Sequence, residues 1–243
     1  FLDLFLSLQV SKERYTGGDG WRSIPLFQAV YHPVAILFGN YASLTEPPYD
    51  PLWDKKFAPT EPLKLLNEQW NTQFRFEQAC AWAWGQQPTI ANYNTELWND
   101  RKEELDFVLK LARLQNKFRE FLLNGELLKP LPETNIDTWD EICLSVYAYR
   151  KEGGKTFQRK GSLLITAPWR SPDGKIALVV VNADNKERTL QAHVSAKQWN
   201  LKKEGKIIKH QINQSIEFGS YSNGVIDFSH TIDKCDALLF EFQ

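Results

Sequence analysis

Apolar and polar positions change rhythm partway along this 243-residue chain. The first ten residues fit two patterns. Leu2, Leu4, Leu6, Leu8 and Val10 alternate as in a strand, while Leu2, Phe5, Leu6 and Val10 share a helical face. Thr16-Gly17-Gly18-Asp19-Gly20 is a loop, and the apolar run Ile24 to Tyr31, opened by Pro25, predicts a buried strand. Val34 to Phe38 stays apolar after Pro33 and fits a helix start or a second strand. Pro47, Pro48, Pro51, Pro59 and Pro62 make residues 45–62 an irregular loop. Leu63 to Trp84 places Leu66, Trp70, Phe74, Gln78 and Ala81 at spacings of three or four, a helix that Gly85 stops. Pro88-Thr89-Ile90 then opens a short strand. The longest helical pattern runs from Leu97 to about Leu123. Thr95 is its N-cap, Leu105, Val108, Ala112, Phe118 and Leu122 are its apolar stripe, and Asn124-Gly125 is its end.

Pro130 and Pro132 announce a different regime. From about Asp140 the pattern is strand-like, with Ile142, Leu144, Val146 and Ala148 alternating. Leu163 to Thr166, the turn Ser171-Pro172-Asp173-Gly174 and Ile176 to Val181 read as a hairpin. Leu190, Ala192 and Val194 alternate again, Asn223-Gly224 predicts a tight hairpin turn, and Ala237 to Phe240 closes the chain as a strand. Short strands with frequent turn signals predict a sandwich.

Composition narrows the function classes. The chain is 42% hydrophobic, 13% aromatic and carries a net charge of −1, which suits a globular core and gives no electrostatic case for nucleic acid or an anionic membrane. No run approaches the ~18 apolar residues of a membrane span. Cys80, Cys143 and Cys235 are widely spaced without a C-x-x-C pair, so a zinc ribbon is not expected. Cys80 reads as a core residue, and a Cys143–Cys235 disulfide stays open. His193, His210 and His230 have no metal-ligand spacing, and no G-x-S-x-G is present. No metal or cofactor is expected. The chain starts at Phe1 and contains no Met.

Three stretches occur in a telling order. They are Ile24-Pro25-Leu26-Phe27-Gln28-Ala29-Val30-Tyr31-His32; Arg113-Leu114 with Phe118 to Leu128; and Asp236-Ala237-Leu238-Leu239-Phe240-Glu241-Phe242. In this order they resemble a late strand, the final helix and the trailing sandwich strand of bacterial (β/α)8-barrel glycoside-hydrolase-like proteins, distantly similar to α-galactosidases and endo-α-N-acetylgalactosaminidases. The resemblance implies an α/β then all-β fold: the last βα units of a TIM-type barrel over residues 1–129, then an antiparallel β-sandwich over 130–243. It implies hydrolysis of a glycosidic bond by a carboxylate pair at the C-terminal mouth of the barrel. Those carboxylates are expected N-terminal to Phe1, so no catalytic residue is assigned. The implied partners are a carbohydrate substrate and an N-terminal barrel portion of the same protein, in an extracellular or periplasmic setting.

Candidate substrate contacts follow from that placement, each beside a plainer reading. Tyr31 and His32 end the strand expected at the mouth, and the plain alternative is a structural histidine. Trp84 and Gln86 offer an indole face and an amide for a sugar, or are core filler at the barrel bottom. Asn92 and Tyr93 follow the next strand. Asp19 and Trp21 lie in the glycine-rich loop. Glu46 and Trp53 lie in the proline-rich loop, with Asp50 and Asp54, where a solvated loop is the usual reading. The rival function is a non-catalytic carbohydrate-binding or structural module. Seven of nine tryptophans (Trp21, Trp53, Trp70, Trp82, Trp84, Trp98 and Trp139) precede the sandwich proper, and only Trp169 and Trp199 lie within it, which favours the first half as the ligand side. An unrelated α+β protein is the third reading.

Overall fold

A computed structural model describes residues 4–6, 24–38, 42–45, 56, 64–90, 93, 95–131, 138–145 and 155–243. The element order is β1 (Leu4–Leu6), α1 (Leu26–Tyr31), β2 (Ile36–Phe38), α2 (Asn71–Ala83), α3 (Leu97–Asp100), α4 (Lys102–Lys117), α5 (Arg119–Leu122) and β3 (Glu126–Leu127). Nine strands complete it: β4 (Thr138–Ser145), β5 (Lys155–Ser162), β6 (Leu164–Arg170), β7 (Ile176–Asn182), β8 (Arg188–Ser195), β9 (Gly205–His210), β10 (Ser215–Tyr221), β11 (Val225–Ile232) and β12 (Asp236–Phe242). The result is mixed α/β.

The later strands build an antiparallel sheet in the order β10-β9-β12-β7-β6-β3. The run Ile176–Asn182 is buried at every position, so β7 needs cover on both faces. Ala177, Val179 and Val181 meet Ala79, Cys80, Leu111 and Leu114 of the helices. Ile176, Leu178 and Val180 meet Leu190, Ala192, Val194 and Ile226 of the two-stranded sheet β8–β11. β12 repeats the division, with Ala237 and Leu239 toward the helices and Leu238, Phe240 and Phe242 toward β8–β11.

The first half pairs differently. β1 runs parallel to β2, and Leu37 of β2 bridges Gln86 in parallel. Helix α2 lies between those two partners in the chain. It is buried from Gln73 to Ala83, because the sheet covers one side while Phe74 joins Ala42, Leu44, Leu97, Leu105 and Val108 on the other. Arg75 pins this layer. Its Nη1 donates to Glu104 Oε1 at 2.5 Å, its Nε donates to Ala183 O at 3.1 Å, and both charged side chains are buried.

Several expectations change. Ile24 to Tyr31 is not a buried strand: Leu26–Tyr31 is a helix followed by a turn at 32–34, and across the two Gln28 and His32 are buried while Leu26, Val30 and Val34 are 65%, 57% and 72% exposed. The buried positions recur four residues apart, and they are the polar ones. Residues 32–34 form a short 3-10 turn that ends just before β2, so of the two alternatives for 34–38 the strand forms, over Ile36–Phe38, and the helix start does not. Residues 88–90 form no strand. The helix from Leu97 is interrupted at Arg101 and Phe118. At the first break Arg101 turns inward, and its Nη2 donates to Leu66 O at 2.7 Å. Thr95 makes no side-chain cap, and Ala112 is only half-buried. Asn223 and Gly224 both take positive φ, as a tight turn requires, yet β10 pairs with β9 and β11 with β8, so the turn joins two sheets. The β6–β7 hairpin and the alternating burial of β8 are as the sequence indicates. Cys80 is buried and Cys235 is a free thiol, which removes a Cys143–Cys235 disulfide. β3 precedes residue 130 but pairs with β6. Among the described residues no helix is long and apolar enough to cross a membrane.

Glu104→Ala should cost about 3–5 kcal/mol of unfolding free energy, because it strands a buried guanidinium. The double variant Arg75→Met/Glu104→Leu should recover most of that loss in denaturant melts.

Candidate functional site

Of the residues that the sequence offers as sugar contacts, Trp84 and Gln86 flank Gly85, whose backbone lies against His32. This is the junction between the parallel segments and the six-stranded sheet. His32 is 3% exposed, with Nδ1 2.9 Å from Gly125 O and Nε2 2.9 Å from Leu122 O. Its ring packs edge-on against Trp169, centroids 4.6 Å apart. Trp169 is fully buried and donates Nε1–H to Ala83 O at 3.0 Å. The local backbone makes this possible. Gly85 ends α2 at φ +80°, and a Cβ there would lie 2.3 Å from His32 Nε2 and 2.7 Å from Trp169 Cη2. Gly125 ends the last helical turn, where a Cβ would lie 2.4 Å from Phe121 O.

This environment makes His32 structural. It touches two carbonyl oxygens and an indole, and it is closed to solvent. Burial lowers its pKa, and the carbonyls of Leu122, Gly125 and Gly85 oppose that shift. Neutral imidazole has one N–H, so it can donate to one of its two carbonyl neighbours at a time. The placement at the barrel mouth is therefore corrected. His32 lies in the turn before β2, and its burial leaves no face open to a ligand. Trp84 is 9% exposed at the end of α2, so its indole is packing surface. Gln86 is fully buried. Its carbonyl accepts from Gln115 Nε2 at 3.2 Å, and its amide group has no partner among the described residues.

The remaining candidates divide by position. Tyr31 is 38% exposed and packs on Phe27, centroids 4.6 Å apart. It lies just before His32. Tyr93 is 50% exposed and follows Gln86 in the chain. Asp19, Trp21, Glu46, Trp53 and Asn92, with Asp50 and Asp54, lie outside the described residues. With β1 at Leu4–Leu6, Asp19 and Trp21 follow a parallel strand in sequence, and Glu46 and Trp53 follow β2. No group of three or more His, Cys, Asp or Glu side chains suited to a metal occurs among the described residues.

Trp169 carries no signal in the sequence beyond its place in a strand-like stretch. The trio of half-buried His210, buried Glu241 and exposed Ser215 likewise leaves no signal in the chain order. Its Nε2–Oε2 distance is 3.0 Å and its Nδ1–Oγ distance 2.7 Å. The hydrogen bond from His210 holds the Glu241 carboxyl below its usual range. Only strand register brings these residues together, because β9 and β12 are separate in the chain.

A family model described as a domain of unknown function, DUF6259, matches residues 1–42. No curated protein sequence matches the chain. Among solved structures, α-amylase from Geobacillus thermoleovorans is 12% identical with a TM-score of 0.43 over 90% of this chain and 42% of its own. A glycoside hydrolase family 5 protein from Bacteroides vulgatus is 14% identical with a TM-score of 0.41, over 86% of this chain and 42% of its own. α-Galactosidase I from Mortierella vinacea is 10% identical with a TM-score of 0.37, over 73% and 36%. The chain thus spans less than half the length of each of these three.

Gly85→Ala should destabilise the fold by about 2–4 kcal/mol, because positive φ and a crowded Cβ act together. The histidines supply a pH test. Burial lowers the pKa of His32, and burial followed by the charge of Lys209 lowers that of His230. The unfolded chain, with histidine near 6.5, therefore binds more protons. Their contribution is present above about pH 6.5 and is lost as pH falls below it. The midpoint of thermal unfolding should drop from pH 7 to 5.5, and His32→Gln should show a shallower drop.

Proposed function

We propose that the chain is the C-terminal portion of a glycoside hydrolase, with residues 1–129 ending a (β/α)8 barrel and 130–243 forming the sandwich that buttresses it. The observation that carries this reading is the parallel succession of β1, β2 and Gln86, with α2 between the second and third. Parallel neighbours joined through a helix are the unit from which such barrels are built. The outward apolar row Leu26, Val30 and Val34 supports it, since this row requires further polypeptide to cover it.

In this reading the substrate is a carbohydrate bound where the parallel strands end. Six candidates follow those ends in sequence: Asp19 and Trp21, Glu46 and Trp53, and Asn92 and Tyr93. The carboxylate pair belongs to strands N-terminal to Phe1, so the chain contributes binding groups and the sandwich contributes support. A non-catalytic module remains the rival, and activity separates the two.

The test is hydrolysis of a panel of p-nitrophenyl glycosides by the natural-length polypeptide that contains this chain. Turnover of one or more, with kcat/KM lowered at least about tenfold by Tyr93→Ala, is the expected result. A folded natural-length protein inert toward the whole panel would contradict the proposal.

A further inference from the structure

Along one cross-strand row the cover of the sandwich runs out. Leu178 of β7 pairs with Phe240 of β12, Phe240 with Lys209 of β9, and Lys209 with Ile216 of β10. Residues in register share a face of the sheet. Leu178 and Phe240 are fully buried, Lys209 is half-buried, and Ile216 is 43% exposed. Burial falls because the covering sheet, among the described residues, consists of β8 and β11. β11 pairs with β8 alone, so its other backbone edge has no ladder partner among the described residues.

Beside that edge lies a half-buried aromatic group. Phe218 packs edge-on against Phe228 at 5.6 Å and His230 at 5.2 Å, and Phe228 lies 4.7 Å from Phe240. Lys209 Nζ sits 5.9 Å from the centre of the Phe218 ring. Lys209 has no anionic partner among the described residues, although a half-buried ammonium in an apolar row is costly without one. The nearby carboxylates have other neighbours: Glu217 is held by Lys206, and Asp227 lies against His193.

An added strand would meet all three demands at once. Its backbone would pair with the open edge of β11, its apolar side chains would cover Ile216 and Phe218, and a carboxylate would meet Lys209. We propose that the free edge of β11 and the row Lys209–Ile216, with Phe218 and His230, form a docking site for an extended peptide strand. That strand carries a carboxylate at one inward position and apolar side chains two residues to either side of it. A sugar chain fits less well, because it would use the rings but leave the N–H and C=O groups of β11 unanswered. Burial and then the charge of Lys209 lower the pKa of His230, against the opposing Asp233 carboxylate, so the row Lys209–Ile216 draws its positive charge from Lys209. The site lies on the sandwich and does not depend on the barrel reading.

The test is an amide NMR titration of this chain with two peptides of core Val-Thr-Glu-Thr-Val and Val-Thr-Lys-Thr-Val. The Glu peptide should shift the amides of residues 225–232 and bind about tenfold more tightly than the Lys peptide. Lys209→Glu should invert that preference. Lys209→Gln, the milder change, should abolish it with the thermal midpoint little altered. Three results would overturn the proposal: residues 225–232 unmoved by either peptide at millimolar concentration, a preference that survives both variants, or shifts produced by oligogalacturonate and not by the peptides.

Discussion

The architecture depends on two strands that are apolar on both faces. β7 and β12 lie at the centre of the large sheet, and neither can face water on either side. One face takes α2 and α4, and the other takes β8 and β11. A helical layer on one face and a strand layer on the other follow from that single demand. Where the strand cover ends, at β9 and β10, half-buried side chains appear.

The same demand explains why the histidine most attractive in the sequence is structural. α2 must lie close on the sheet, and Gly85 lets its end approach Trp169 without a Cβ in the way. His32 then fills the space between that end and the carbonyls that close α5. Donating to one of those carbonyls at a time, it ties the turn before β2 to the end of α5.

Much of the second half was legible because local rules and burial agree there. Ser171-Pro172-Asp173-Gly174 folds as its residues suggest, with Gly174 at φ 89° and its N–H donating to Ser171 O. Leu190, Ala192 and Val194 alternate because one face of β8 is wet. The first half misled where the apolar-inward rule failed. In α1 and the turn after it the buried polar residues are Gln28 and His32, so an apolar run that points outward reads as a buried strand. Pairings set only by register, such as His210 with Glu241, leave no trace in the chain order. Of the candidate site, Tyr93 keeps an exposure suited to a ligand contact, whereas His32, Trp84 and Gln86 are inside.

Two exposed tyrosines at opposite ends of the parallel segments allow a direct measurement. Tyr31 precedes β2 and Tyr93 follows Gln86, with 38% and 50% of their surfaces accessible. Hydroxyl-radical footprinting of the natural-length protein, with and without an oligosaccharide, reports both at once. Protection of Tyr93 with Tyr31 unchanged is the result this account predicts. Protection of Tyr31 with Tyr93 unchanged would place the ligand at the His32 end and contradict it.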